Sequence, residues 1–146
     1  MEEISGIMTR LREAASLPDT LAAGFDAFEA IRQLARDCED KDPALFAAFM
    51  TTADAAVDGR EAITIAPALP QPGRTAAEVS VSGAGAAAGE IAGVLARLGA
   101  LLRDRLSHAA TIAATAGDRT GCADAAHAAG RICQLMAGGD HDRRLR

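Results

Sequence analysis

The sequence predicts an all-α protein, an antiparallel up-and-down bundle of four to five helices, and three observations carry that prediction. Alanine, the residue of highest helix propensity, supplies 36 of the 146 positions. β-Branched residues are sparse, and the aromatics are four Phe with no Trp or Tyr, so little favours strands. Apolar residues recur at three- and four-residue spacing through most of the chain, which gathers them on one face of a helix. This length can bury a core without disulfide or metal staples. The expected domain is 1–138, with a linker at 67–83 inside it and a flexible polar tail at 139–146.

Each element has its own signature. Ile4, Ile7, Met8, Leu11 and Ala15 define a first helix of about four turns. Ser16-Leu17-Pro18-Asp19 then supplies a cap, a first-turn proline and a dipole-matching acid for the second. That helix carries Leu21, Phe25, Phe28, Ile31, Ala35 and Cys38 on one face. Glu39 to Asp42 is a polar connection, and Asp42-Pro43 restarts the helical pattern. The third helix is expected to bury Leu45, Phe46, Phe49, Met50, Ala53, Val57 and Ile63, with Asp54, Asp58 and Glu61 outward. Pro67, Pro70 and Pro72 end it; Pro67-Ala68-Leu69-Pro70 also fits a bare PxxP pattern. Val79 and Val81 alternate with Ser80 and Ser82 as in a strand, but without a partner strand Thr75–Ser82 reads as loop or frayed helix start. A long fourth helix spans Gly85–Ala116, stopped by Gly117 and followed by a cap at Asp118. The fifth runs from Arg119 to Met136 and ends at Gly138-Gly139.

The fourth helix has two faces. Ile91, Val94, Leu95, Leu98, Leu101, Leu102, Ala109 and Ile112 form a bulky stripe, while Gly89, Gly93, Ala96, Ala100 and Ser107 lie opposite. A thin face lets another backbone approach closely. Gly89, Gly93, Ala96 and Ala100 are therefore the candidate interface, inside the bundle or across a homodimer.

Charge narrows the partners. Residues 1–66 carry a net −7 and residues 67–146 a net +2. An acidic chain with no basic run and no aromatic platform is a poor DNA ligand. Arg143, Arg144 and Arg146 read as a solvated basic end. Cys38, Cys122 and Cys133 are odd in number and lack CxxC spacing, so no disulfide framework or zinc site is expected. Asp37, Glu39, Asp40 and Asp42 lack the glycine and regular spacing of a calcium loop. No phosphate loop, Rossmann fingerprint or nucleophile elbow occurs, so no cofactor is expected. No signal peptide or membrane span is legible, since Glu90 and Arg97 interrupt the most apolar window, and a cytoplasmic location is expected.

Arg32, Arg60 and Arg105 each project within or beside the apolar stripe of a helix. A buried guanidinium must pair, reach the rim or meet an anion, which makes the three candidate ligand-binding residues. Arg103 and His108 bracket the segment Arg103-Asp104-Arg105-Leu106-Ser107-His108. This spacing resembles the R-x4-H motif of HEPN-type ribonucleases, themselves small helical bundles that are often dimeric. The resemblance implies metal-independent RNA cleavage, with His108 moving a proton and Arg103 steadying developing negative charge. RNA is a partner only on that reading.

The leading expectation is a non-enzymatic bundle that works by self-association, as a homodimer. The alternatives are the HEPN-like ribonuclease and a small-ligand binder with a pocket inside the bundle, its rim supplied by Arg32 or Arg60.

Overall fold

The computed structural model of the chain describes residues 2–70 and 79–145, with side chains described through Gly138. Five helices form: α1 (Glu2–Glu13), α2 (Leu17–Cys38), α3 (Phe46–Thr64), α4 (Ala88–Ile112) and α5 (Ala116–Leu145). A 3₁₀ turn at Pro43–Leu45 leads into α3. Among the described residues there is no strand, and no helix is long and apolar enough to cross a membrane.

Local side-chain chemistry sets the helix starts. Ser16 Oγ accepts the Asp19 N–H at 3.2 Å and opens α2, with Pro18 in its first turn. Asp42 accepts the Ala44 N–H at 3.0 Å, so this cap starts the 3₁₀ turn and α3 follows from it. Between α4 and α5 the sequence expectation needs correcting. The stop falls at Ile112, and Thr115 caps α5: the Asp118 N–H donates to Thr115 Oγ1 at 3.1 Å, while the Thr115 hydroxyl reaches Asp118 Oδ2 at 3.0 Å. This reciprocal pairing, a relative of the capping box, places Gly117-Asp118 inside the first turn. Helix α5 also runs across Gly138-Gly139 to Leu145, through the expected tail. Glycine costs a helix about 1 kcal/mol relative to Ala but does not forbid it. Arg143 and Arg144 lie where side chains are not described, and Arg146 and residues 71–78 fall outside the described residues.

Close approaches at glycines define the packing. A Cβ on Gly24 would stand 3.0 Å from Ile63, and one on Gly59 would overlap the Phe28 ring, so α2 and α3 are antiparallel. Gly24 also faces Leu102 and Leu106, whereas Gly83, just ahead of α4, faces Leu34 and Cys38; α2 and α4 are antiparallel too. A Cβ on Gly99 would meet Cys133 N at 3.0 Å and Ala129 O at 3.1 Å, bringing α4 against α5. Gly121 sets α5 against Ala62 of α3 and against Ala66 just past its end. The helices thus form a ring in the order α2, α3, α5, α4, with antiparallel neighbours throughout. Helices α3 and α4 face each other across the ring and run in the same sense. The end of α3 at Thr64 and the start of α4 at Ala88 therefore lie at opposite ends of the bundle. Helix α1 docks on α2 and α4 through Ile4, Ile7 and Leu11.

The buried faces of α3 and α4 are rotated from expectation. Phe46 and Met50 are 41% and 38% exposed, and Val57 is half-buried. The buried side of α3 is Phe49, Thr52, Ala53, Ala55, Ala56, Gly59 and Ile63. Its small residues let α2 and α5 close in on both flanks. On α4, Val94 and Leu101 are half-buried and Ile112 is exposed, while Ala92, Gly99 and Leu106 are buried. The stripe turns toward α5, whose alanines at 125, 126, 128 and 129 give it a thin contact surface.

The crossover is pinned at both ends. The Ala68 N–H donates to Asp118 Oδ1 at 2.8 Å, and Leu69 is buried. Farther along, Gln33 Nε2 donates to the Val79 carbonyl at 2.7 Å and the Val81 N–H donates to Gln33 Oε1 at 3.1 Å. One side-chain amide takes the place of the missing partner strand for the Val79–Val81 alternation.

Candidate functional site

The three arginines do not converge on a common ligand position. Arg32 and Arg60 meet an anion from the chain itself, Glu29, which is 1% exposed on α2. Arg32 Nη2 donates to Glu29 Oε1 at 2.5 Å and Arg60 Nη1 to Oε2 at 2.5 Å, with Gln33 Nε2 adding a third donor at 3.3 Å. Burial works against the carboxylate's charge, but these hydrogen bonds outweigh it and hold its pKa below the ordinary value. Arg32 and Arg60, the candidate rim of an internal ligand pocket, thus both pair with Glu29. The Glu29-Gln33 pair also ties the cluster to the crossover at Val79–Val81. Spacing on α2 offers Glu29–Arg32 at i,i+3 and Glu29–Gln33 at i,i+4, but it cannot report Arg60 on α3 or the bonds from Gln33 to a segment 46–48 residues away.

Arg105 lies elsewhere. Its Nη2 donates to the Ala14 carbonyl at the end of α1, and it lines a cavity of about 230 Å³ together with His108 and the start of α2.

Arg103 and His108 also part company. Five residues separate them, about 140° around a helix of 3.6 residues per turn. Arg103 pairs with Asp104 at 3.1 Å and lines a groove of about 460 Å³ between α4 and α5, with His127 and Arg131 on its far side. His108 faces the other cavity, beside Arg105. Within one chain the two side chains share no site, and the histidine across the groove from Arg103 is His127.

The thin face of α4 stands at the margin of the core, with Ala96 packed against it. Gly89, Gly93, Ala96 and Ala100 are all half-buried. Gly93 meets no other element: a Cβ there would touch only the tip of Arg97, on its own helix, at 3.8 Å. The close helix contact that small residues permit is made instead by Gly99, on the flank facing α5. Sequence reading missed Gly99, although Ala92, Leu95, Gly99, Leu102 and Leu106 repeat at three and four and mark the buried seam.

With this geometry in hand, similarity to other proteins adds nothing to it. No family model, curated protein or solved structure matches the chain.

No group of three or more His, Cys, Asp or Glu able to hold a metal ion occurs among the described residues. In the acidic connection, Glu39 pairs with Arg36 at 3.3 Å and Asp42 serves as a cap. The thiols of Cys38 and Cys122 are buried and their pKa values are raised by burial, that of Cys122 to about 11 with help from the charge of Asp118.

Proposed function

We propose that the protein acts by self-association, as a two-fold homodimer built on the outer face of α4, and is not an enzyme. The observation that carries this reading is Gly93. Glycine inside a helix costs roughly 0.5–1 kcal/mol relative to alanine. Gly24, Gly59, Gly99 and Gly121 each offset that cost with a close contact that a Cβ would crowd. Gly93 sits mid-helix with open space beyond it, and a contact from a second copy would supply the compensation it lacks. Gly6 in α1 and Gly138 in α5 are equally open and have no such account.

Charge supplies the register. Glu90, Arg97 and Asp104 are exposed at seven-residue intervals along the same side of α4. A two-fold axis places the same patch on both copies. If two α4 helices cross antiparallel at Gly93–Val94, Glu90 of each copy comes opposite Arg97 of the other, and the two pairs form by symmetry.

Sedimentation velocity or light scattering over a wide concentration range tests the reading. Dimer formation is expected, with Gly93→Leu returning a monomer of unchanged helicity. Glu90→Arg should weaken the dimer, and combining it with Arg97→Glu should restore it. A strict monomer at all concentrations, or a dimer indifferent to Gly93→Leu, overturns the proposal.

A further inference from the structure

We propose that residues 79–86 form a strap that opens as a unit while the five helices stay folded, with the Gln33 side chain as its latch. The strap enters neither a helix nor a strand, so no ladder of backbone hydrogen bonds holds it. Among the described residues, three hydrogen bonds tie it to the rest of the chain. Gln33 makes two of them, donating to the Val79 carbonyl and accepting from the Val81 N–H. The third, from Lys41 Nζ to the Gly83 carbonyl, is 3.5 Å long, at the limit for such a bond. Val81 and Gly83 are buried, Val79 and Ala86 are half-buried, and the other four residues are exposed. Ordering each residue carries an entropic cost, and apolar burial answers it mainly at Val81.

Toward α4 the strap ends in a hinge. Gly85 has φ +82°, a conformation that glycine adopts without strain, and a Cβ there would meet nothing within 4 Å. Ala87 gives α4 no side-chain cap, so swinging the strap away from the helix start breaks none. The latch itself is oriented from α2 and α3. Gln33 Nε2 also donates to Glu29 Oε1 at 3.3 Å, and Arg60 of α3 holds the other oxygen of that carboxylate. A segment with few apolar contacts and few bonds to its surroundings opens at lower cost than the core beneath it.

The strap covers the seam between the end of α2 and the first turns of α4. A Cβ on Gly83 would stand 2.7 Å from Ile91 Cδ1, 3.3 Å from Leu34 Cδ2 and 3.7 Å from the Cys38 sulfur. All three side chains are fully buried beneath the closed strap. Opening bares them together and leaves intact the α3–α5 and α4–α5 contacts made at Gly121 and Gly99. Cys38 is thus a built-in reporter of the open form, while Cys122, buried on α5, reports unfolding of the bundle.

The test is prolonged labelling with iodoacetamide at pH 8, after Cys133 has reacted, with each thiol followed by peptide mass and corrected by its own rate in the unfolded protein. Cys38 should react at least tenfold faster than Cys122. Its rate should rise only gently in urea below the unfolding transition, because strap opening exposes little surface, whereas that of Cys122 should rise steeply. Gln33→Ala should speed Cys38 by about tenfold, from the loss of two hydrogen bonds of modest net worth. Gly99→Ala, which loosens α4 against α5, should speed Cys122 and leave Cys38 as it was. The urea dependence is read on the unaltered protein and so does not hinge on either variant folding. Equal corrected rates and urea slopes for the two thiols, a Cys38 rate indifferent to Gln33→Ala, or one that rises with that of Cys122 in Gly99→Ala each overturns the proposal.

Discussion

Arg60 of α3 and Glu29 of α2 meet at 2.5 Å across the interface between their helices, and Arg32 holds the other oxygen of the same carboxylate. Two cations on one buried anion fix how α3 sits against α2. Both guanidiniums keep an outer edge in solvent, with side chains 33% and 26% exposed.

Replacing Glu29 by Gln leaves two arginines facing each other without their counter-charge. The expected loss is about 2–3 kcal/mol, below the 3–5 typical of a fully buried pair because both cations can turn to water. Chemical denaturation at neutral pH measures it. The pH dependence has a definite sign. Glu29 titrates lower folded than unfolded, so its contribution is complete above the ordinary value of 4.5 and disappears as pH falls through the lowered folded value. The stability of Glu29→Gln should fall less over that acid window than that of the unaltered protein.

Gln33→Ala removes both hydrogen bonds that hold Val79 and Val81, and a donor to Glu29. A loss of about 1–2 kcal/mol follows from the bonds alone. The more specific readout is local: the Val81 amide should exchange roughly tenfold faster, ahead of any change in the helices.

Two glycines six residues apart on α4 should respond oppositely to alanine. Gly99→Ala pushes a methyl toward Cys133 N and Ala129 O on the α5 backbone, and costs about 1–3 kcal/mol. Gly93→Ala meets only the tip of Arg97, and in protein dilute enough to be monomeric it should stabilise by about 0.5–1 kcal/mol. Thermal melts of the two variants, side by side, decide this.

Thiol labelling of the native protein at pH 8 should modify Cys133, which is half-buried, and spare Cys38 and Cys122. At a pKa of about 11, Cys122 is thiolate in about one molecule in a thousand at that pH, and burial blocks access besides. All three should react once the protein is unfolded.

Features that depend on neighbours in sequence were legible in advance. The Ser16 cap, Pro18 in the first turn and the Asp42 turn are local chemistry, and they stand where expected. Helix faces were read less well where residue size misled. Phe46 and Met50 look like core, yet the side of α3 with the least bulk is the one that two helices can approach. Thr115 was overlooked as a cap because the adjacent Gly117 gives the stronger stop signal. The Glu29 cluster and the Gln33 clamp were illegible for a different reason. Arg60 and the Val79–Val81 backbone lie on other elements, and spacing along α2 cannot report them.

The path of the chain through the ring also sets an order of assembly. Helices α3 and α4 stand on opposite corners, and the element between them, α5, is synthesised after both. Until Ala116 and the residues beyond it are available, the stripe around Gly99 and the flank of α3 near Ala62 have nothing to pack on. Folding must therefore wait for contacts between distant parts of the chain, which slows it relative to a bundle of successive hairpins. Shortening α5 would open two interfaces at once.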